Sequence, residues 1–276
     1  MPTAAAKTAA QKKTRTVKAK EVRTTDVLLV TLLDRSGSMD DLREWVIRGF
    51  NKLVADQISE NQEESGRLLM TLVQFDDRYE PNFVGKDVYR YAEKLKLDHD
   101  SYIPRGSTAL HHSVGTLIGE TEQWIKENEF AGRVLFIVMT DGYENHSRFL
   151  GDWTQEKVQA EIKRKERDDW TFVYMGTDVD AVHESRDLGM SAGSSLGTAR
   201  TAASMDAAYT MTSSSVSAFR ASADSGAKAS ANFYADRSID AHGTVSEAWT
   251  DTTTGTSAPA PVTPPPSGSL DLEDTD

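Results

Sequence analysis

VLLVTLLDRSGSM, residues 27–39, is the stretch on which the reading of this chain turns. Its first seven residues are apolar except for Thr31 and lack the alternation of a half-exposed strand. Such a run fits a strand buried on both faces, as in a parallel sheet covered by helices. Asp34, Ser36 and Ser38 close it in D-x-S-x-S spacing, with Gly37 between the serines. A helical pattern follows at once: Leu42, Trp45, Val46, Phe50, Leu53 and Val54 recur along one face. In an open α/β sheet, a turn from strand end to helix start lies on the rim where such folds bind ligands. One carboxylate and two hydroxyls on that rim suit a hard cation such as Mg²⁺.

Outward from this stretch, the pattern predicts a helix over about 40–59 and a strand over 67–75. An Asp76-Asp77 turn returns the chain in an antiparallel strand over 79–84. A short helix is expected over 88–95. Another opens at Thr108, with Leu110, Val114, Leu117, Ile118 and Ile125 on one face. VLFIVM, 134–139, reads as the most buried strand, and WTFVYM, 170–175, as a further one. Helices over 154–167 and 178–188 complete the order β-α-β-β-α-β-α-β-α. That order implies a doubly wound, mainly parallel α/β sheet with helices on both faces, spanning residues 25–190. Ala and Ser dominate residues 191–250, expected to be a partly helical extension with one helix over 198–222. Residues 1–24 read as a basic disordered tail and 251–276 as a Pro/Thr-rich acidic one.

The 276-residue chain is 38% hydrophobic and carries a net charge of −12. It has no cysteine, which excludes disulfides and cysteine-ligated metal centres. No apolar run approaches the roughly 18 residues of a membrane span. The N-terminus has no apolar centre of the kind a secretory signal needs, so a cytoplasmic location is expected. Lys7, Lys12, Lys13, Arg15, Lys18, Lys20 and Arg23 stand against Glu21 alone in residues 1–23. We read that arm as solvated tail rather than a nucleic-acid contact.

By itself D-x-S-x-S arises by chance in roughly one chain in fifteen of this length, given average residue usage. Two further loops add to it. Gly106-Ser107-Thr108 directly precedes a helix, and Thr140-Asp141-Gly142 directly follows the most apolar strand. Taken singly, each of these residues is an ordinary helix cap or turn former. Together Asp34, Ser36, Ser38, Thr108 and Asp141 put two carboxylates and three hydroxyls on one rim.

This set, in this order, resembles the metal-ion-dependent adhesion site of a von Willebrand factor A (vWA) domain. The wording DRSGSM, RGSTAL and VMTDG is similar too, and the likeness covers about residues 25–190. Residues 174–189, with the Ala/Ser-rich stretch beyond, resemble a group of bacterial and phage-encoded intracellular A domains. The resemblance implies that Ser36, Ser38 and sometimes Thr108 bind Mg²⁺ directly, with Mn²⁺ or Ca²⁺ as alternatives. Asp34 and Asp141 would act largely through water. One coordination position would stay open for an Asp or Glu carboxylate of a protein partner, and the helix starts nearby would favour that anion. An AAA+ ATPase of the MoxR type is the partner it suggests first. It implies a binding module rather than an enzyme. The alternatives are a structural or adhesive component of a phage particle and, below it, a metal-dependent hydrolase.

Other motifs carry less. Gly193-Ser194-Ser195-Leu196-Gly197 fits G-x-S-x-G, but a nucleophile elbow needs a strand before the serine, and DLGMSA is no buried strand. His111 and His112 are adjacent, so they do not share one helix face toward a metal. The chain contains no G-x-x-x-x-G-K-[ST] phosphate loop. Tyr143, Glu144 and Asn145 stand next to Asp141, placed to shape specificity, with surface turn residues as the default reading.

Overall fold

The computed structural model describes residues 25–59, 66–151, 153–177, 181–235 and 237–247. The tails expected at 1–24 and 251–276 lie outside the described residues. Six strands form one sheet: β1 Val27–Asp34, β2 Leu68–Phe75, β3 Tyr79–Asp87, β4 Arg133–Thr140, β5 Trp170–Thr177 and β6 Ser195–Thr198. Their spatial order is β3-β2-β1-β4-β5-β6. Among the described residues of this sheet, only the β2–β3 pair is antiparallel. The helices are α1 Arg43–Ser59, α2 Val88–Tyr91, α3 Leu110–Glu127, α4 Gln155–Arg167, α5 Ala181–Asp187, α6 Ala202–Ala221 and α7 Gly226–Asn232. A small hairpin, β7 Arg237–Ile239 with β8 Val245–Glu247, follows.

The doubly wound α/β fold expected from the sequence is the fold observed. Its cause is visible in β1, every residue of which is buried. Val27, Leu29 and Leu33 point to one layer, with Phe50 of α1 and Tyr209 of α6. Leu28, Val30 and Leu32 point to the other, with Leu110 and Val114 of α3 and Ile162 of α4. Side chains alternate across a strand, so a run apolar at every position requires cover on both faces. Each fully buried Leu or Val contributes roughly 1.5–3 kcal/mol by transfer from water, so β1 alone anchors both layers.

Several details differ from the sequence reading; α3, for one, starts at Leu110 with Ala109 as its N-cap rather than at Thr108. A tight 3-10 turn over Gly37–Leu42 precedes α1, so the regular helix begins at Arg43 rather than near residue 40. The sheet also has a sixth strand, β6, which the pattern did not indicate. Its four residues, SLGT, hold one large apolar side chain, too few to show a period. Past it, the helix expected over 198–222 is found as α6, which lies on α1. Arg48 Nη2 donates to Asp206 Oδ1 at 2.6 Å, and Gln57 Nε2 donates to the Ser213 carbonyl at 3.1 Å. Met205, Tyr209, Val216 and Phe219 of α6 join the same core as Val27 and Phe50. Among the described residues no helix is long and apolar enough to cross a membrane.

The α1–α6 contact needs a glycine. A Cβ at Gly49 would lie 2.1 Å from Cδ2 of Tyr209, which is 1% exposed. Alanine is the better helix former by about 1 kcal/mol, yet overpacking a filled core costs about 1–3 kcal/mol. Gly49→Ala is therefore expected to lower the midpoint of urea unfolding. A midpoint equal to or above that of the wild type would show that α6 does not rest on α1 as described.

Candidate metal centre

Register brings the carboxylates together. β1 and β4 are parallel neighbours with Leu33 opposite Met139. Both strands therefore end at the same level, with Asp34 closing β1 and Asp141 following Thr140 of β4. Thr140 Oγ1 donates to Asp34 Oδ2, and the Ser36 amide donates to Asp34 Oδ1 at 2.6 Å. Asp34 is wholly buried.

The second loop is tied to the first. The Gly37 amide donates to the Gly106 carbonyl at 3.1 Å, and the Arg105 amide donates to the Arg35 carbonyl at 2.8 Å. Tyr102 Oη donates to the Asp34 carbonyl at 2.6 Å. An ion cluster fixes both loops to the β2–β3 turn. Asp76 Oδ2 accepts from Arg35 Nε and from Arg105 Nε, each at 2.9 Å. Glu80 Oε1 meets Arg35 Nη2 at 2.7 Å and Arg105 Nη2 at 2.6 Å. The two guanidiniums hold Glu80 below its ordinary value, Arg35 most. Gly106 itself has φ +68, and a Cβ there would lie 2.6 Å from Asp77 Oδ1, so the turn that delivers Thr108 requires glycine.

The third loop grips Thr108. Asn145 Oδ1 accepts from the Thr108 amide at 2.9 Å, and the amides of Asn145 and His146 donate to the Thr108 carbonyl at 3.0 and 3.1 Å. Asn145, read from sequence as a surface turn residue, is a clamp. Glu144 is another: its carboxylate accepts from the His111 amide at 2.8 Å and from Ser147. The first turn of α3 is thus served by the chain's own anion, not left facing an incoming one. His111 sits near that carboxylate, and burial lowers the imidazole's pKa.

The five oxygen donors converge. Ser36 Oγ and Ser38 Oγ lie 3.1 Å apart, and Ser38 Oγ donates to Asp141 Oδ1 at 2.7 Å. A Cβ on Gly142 would meet Thr108 Oγ1 at 3.0 Å, Ser38 Oγ at 3.5 Å and Asp34 Oδ2 at 3.7 Å. The space opened by that missing methyl is bordered by three of the five groups. Capping does not account for the hydroxyls. Ser36 stands at the N-cap of the 3-10 turn, and its side chain caps nothing. The N-cap of α3 is Ala109, likewise without a side-chain bond. Only Asp34, through the Ser36 amide, also behaves as a turn former.

The electrostatics favour a cation. Burial pushes the Asp34 carboxyl up to about 7; the Thr140 hydroxyl and the Ser36 amide and side chain oppose that rise, and Asp141 adds to it. The folded value exceeds the ordinary 3.8, so burial of Asp34 weakens folding as pH climbs from about 4 to about 7. A dication held there would relieve that penalty and displace the proton. Among the described residues no three His, Cys, Asp or Glu side chains converge. A donor set of two carboxylates and three hydroxyls fits a small hard ion that retains water, as Mg²⁺ does.

Arg200, in the link from β6 to α6, also stands at the rim. It pairs through Nη1 with Asp141 Oδ2, and Nη2 donates to the Ser38 carbonyl at 2.7 Å. Sequence reasoning missed it, because a lone Arg in an Ala/Ser-rich stretch has no pattern. The G-x-S-x-G serine, Ser195, starts strand β6 and donates to Ser185 Oγ at 2.6 Å. It does not sit on the strand-to-helix turn of a nucleophile elbow.

No protein-family model matches the chain, and no curated protein matches it. Similar solved structures include proximal thread matrix protein 1 from the mussel byssus: 16% identity, 67% of this chain and 44% of that one, TM-score 0.49. A von Willebrand factor type A protein of Catenulispora acidiphila is 17% identical over 78% of this chain and 44% of that one, TM-score 0.47. The manganese-loaded TRAP protein of Plasmodium vivax is 16% identical over 55% of this chain and 58% of that one, TM-score 0.40. The chain thus spans about half the length of these proteins.

Gly142→Ala places a methyl among Thr108, Ser38 and Asp34. It is expected to weaken Mn²⁺ binding by roughly tenfold or more while shifting unfolding by only about 1 kcal/mol. Calorimetric titration with Mn²⁺ beside urea unfolding checks this. Undiminished Mn²⁺ affinity would place the cation elsewhere.

Proposed function

We propose that this chain is an A domain of the von Willebrand factor type, a non-enzymatic binding module. Its rim takes a divalent cation, Mg²⁺ first, and through it a carboxylate of a protein partner. Ser36, Ser38 and Thr108 would offer hydroxyl oxygens to the ion directly, and Asp34 and Asp141 would balance its charge, largely through water. The observation that carries this reading is the grouping of Thr108 Oγ1, Ser38 Oγ and Asp34 Oδ2 around the space beside Gly142, with Ser36 and Asp141 joined to Ser38 by hydrogen bonds, and with two of the hydroxyls at helix starts they do not cap.

The cation supplies a local positive charge on an acidic protein. Net charge is −12, so an acidic partner is repelled at long range. A bound dication is the largest charge in its surroundings and reverses that sign at short range. Support for a binder over a hydrolase comes from four of the acids near the rim. A hydrolase needs a base beside the metal-bound water. Asp34 and Asp141 belong to the cation set, Glu144 is held by α3 and Ser147, and Asp76 is clamped by two arginines. An AAA+ ATPase of the MoxR type is the partner proposed first, on the resemblance alone; a phage-particle component is the second reading.

Mg²⁺ at about 100 times its Kd should stabilise the wild type by roughly 2.7 kcal/mol, a rise of a few degrees in Tm over the EDTA-treated protein. Asp34→Asn should show no such rise. A pull-down with wild type and the Ser36→Ala/Ser38→Ala variant, each with and without EDTA, then tests the partner. An acidic partner should come down only with wild type and Mg²⁺. Equal melting shifts in both proteins, or the same partners in all four samples, would refute the reading.

A further inference from the structure

We propose that Arg200 is a permanent part of the cation site, a second positive contact that selects a partner carboxylate and at the same time weakens cation binding. This rests on the cation reading above.

Asp141 divides its two oxygens. Oδ1 accepts from Ser38 Oγ, on the side of the hydroxyl donors, while Oδ2 pairs with Arg200 Nη1. A cation among the hydroxyls and the Arg200 guanidinium therefore use different faces of one carboxylate and do not compete for it. Arg200 is also held independently of any cation. Nη2 donates to the Ser38 carbonyl at 2.7 Å. The residue stands between two fixed points: the Ala199 amide donates to Ser204 Oγ at 2.9 Å, and Thr201 caps α6 while donating to the Ala241 carbonyl at 2.7 Å. The link has little freedom to swing away.

The side chain is nonetheless 35% exposed, and these two bonds use two of its five N–H groups. Three N–H donors of a planar guanidinium remain, a group whose geometry suits a carboxylate. Charge counting gives the sign of each effect. Two ionised carboxylates and a dication sum to zero; Arg200 leaves the loaded rim at plus one. A fixed positive charge beside Asp141 repels an arriving cation and attracts an arriving anion. The expected ligand is thus an Asp or Glu side chain met by both the cation and Arg200.

The test compares wild type, Arg200→Gln and Arg200→Lys at low ionic strength. Mn²⁺ is titrated first, followed by water-proton relaxation. Sodium acetate is then titrated against sodium chloride on the Mn²⁺-loaded proteins, read as loss of the relaxation enhancement when acetate replaces Mn²⁺-bound water. Arg200→Gln should bind Mn²⁺ roughly three- to tenfold more tightly and acetate more weakly by a similar factor. Arg200→Lys keeps the charge and loses the fork, so its Mn²⁺ affinity should stay near wild type while acetate binding weakens. If Arg200→Gln strengthened both, Arg200 would be a plug over the site and the proposal wrong. If it changed neither, Arg200 would be a surface ion pair only. If wild type bound no Mn²⁺, the cation reading would fail and this proposal with it, an outcome distinct from the other two. Melting curves of the three metal-free proteins, expected to agree closely, separate these effects from misfolding.

Discussion

Everything at the rim depends on one pairing, β1 beside β4 in parallel register. In the order β3-β2-β1-β4-β5-β6, the chain winds outward from β1 in one direction and from β4 in the other. The connection after β1 packs in one layer and α3 in the opposite one. The two connections leave a crevice between the strand ends, the switch point at which open α/β sheets bind ligands. Hydrogen bonding of the two strands sets Asp34 and Thr140 at one level. A slip of one residue would send every apolar side chain of β1 to the wrong layer, so the same burial that holds the sheet also aligns the carboxylates.

The fold then carries a cost at that point, a carboxylate without solvent. Asp34 is raised to about 7 by burial even with three hydrogen bonds opposing the rise. Buried charge is tolerated where a partner neutralises it. The nearby Asp76 shows the solution the chain uses elsewhere: two guanidiniums on one buried carboxylate. Asp34 has only hydroxyl and amide donors, and its close neighbour Asp141 is itself acidic. The contrast explains why one acid cluster reads as structural and the other as a place for a cation. It also shows what the structural cluster does, since Arg35 and Arg105 flank the two loops that deliver Ser36 and Thr108.

The sequence made the scaffold legible where burial writes a period. β1, β4 and α3 are long and one-sided or two-sided in apolar content, and their types follow directly. β6 was illegible because four residues with one leucine carry no period, and α1 began late because a 3-10 turn shares the composition of a helix start. At the site, the five oxygen donors were named by spacing and resemblance, and the structure brings them together. Asn145 and Glu144 passed as turn residues because clamping a backbone amide needs no special sequence. Arg200 was invisible for a different reason. Its role comes from β6 and α6 returning to the rim, a contact across 59 residues to Asp141 that no local pattern encodes.

The most direct test of the account is the position of the ion itself. Crystals of the chain soaked in Mn²⁺ and measured near the manganese absorption edge should give an anomalous peak bounded by Ser36, Ser38 and Thr108, weaker in Gly142→Ala crystals treated alike. A peak only elsewhere, or none while Ser38 Oγ still donates to Asp141 as it does here, would contradict the account: the five groups would then hold no cation.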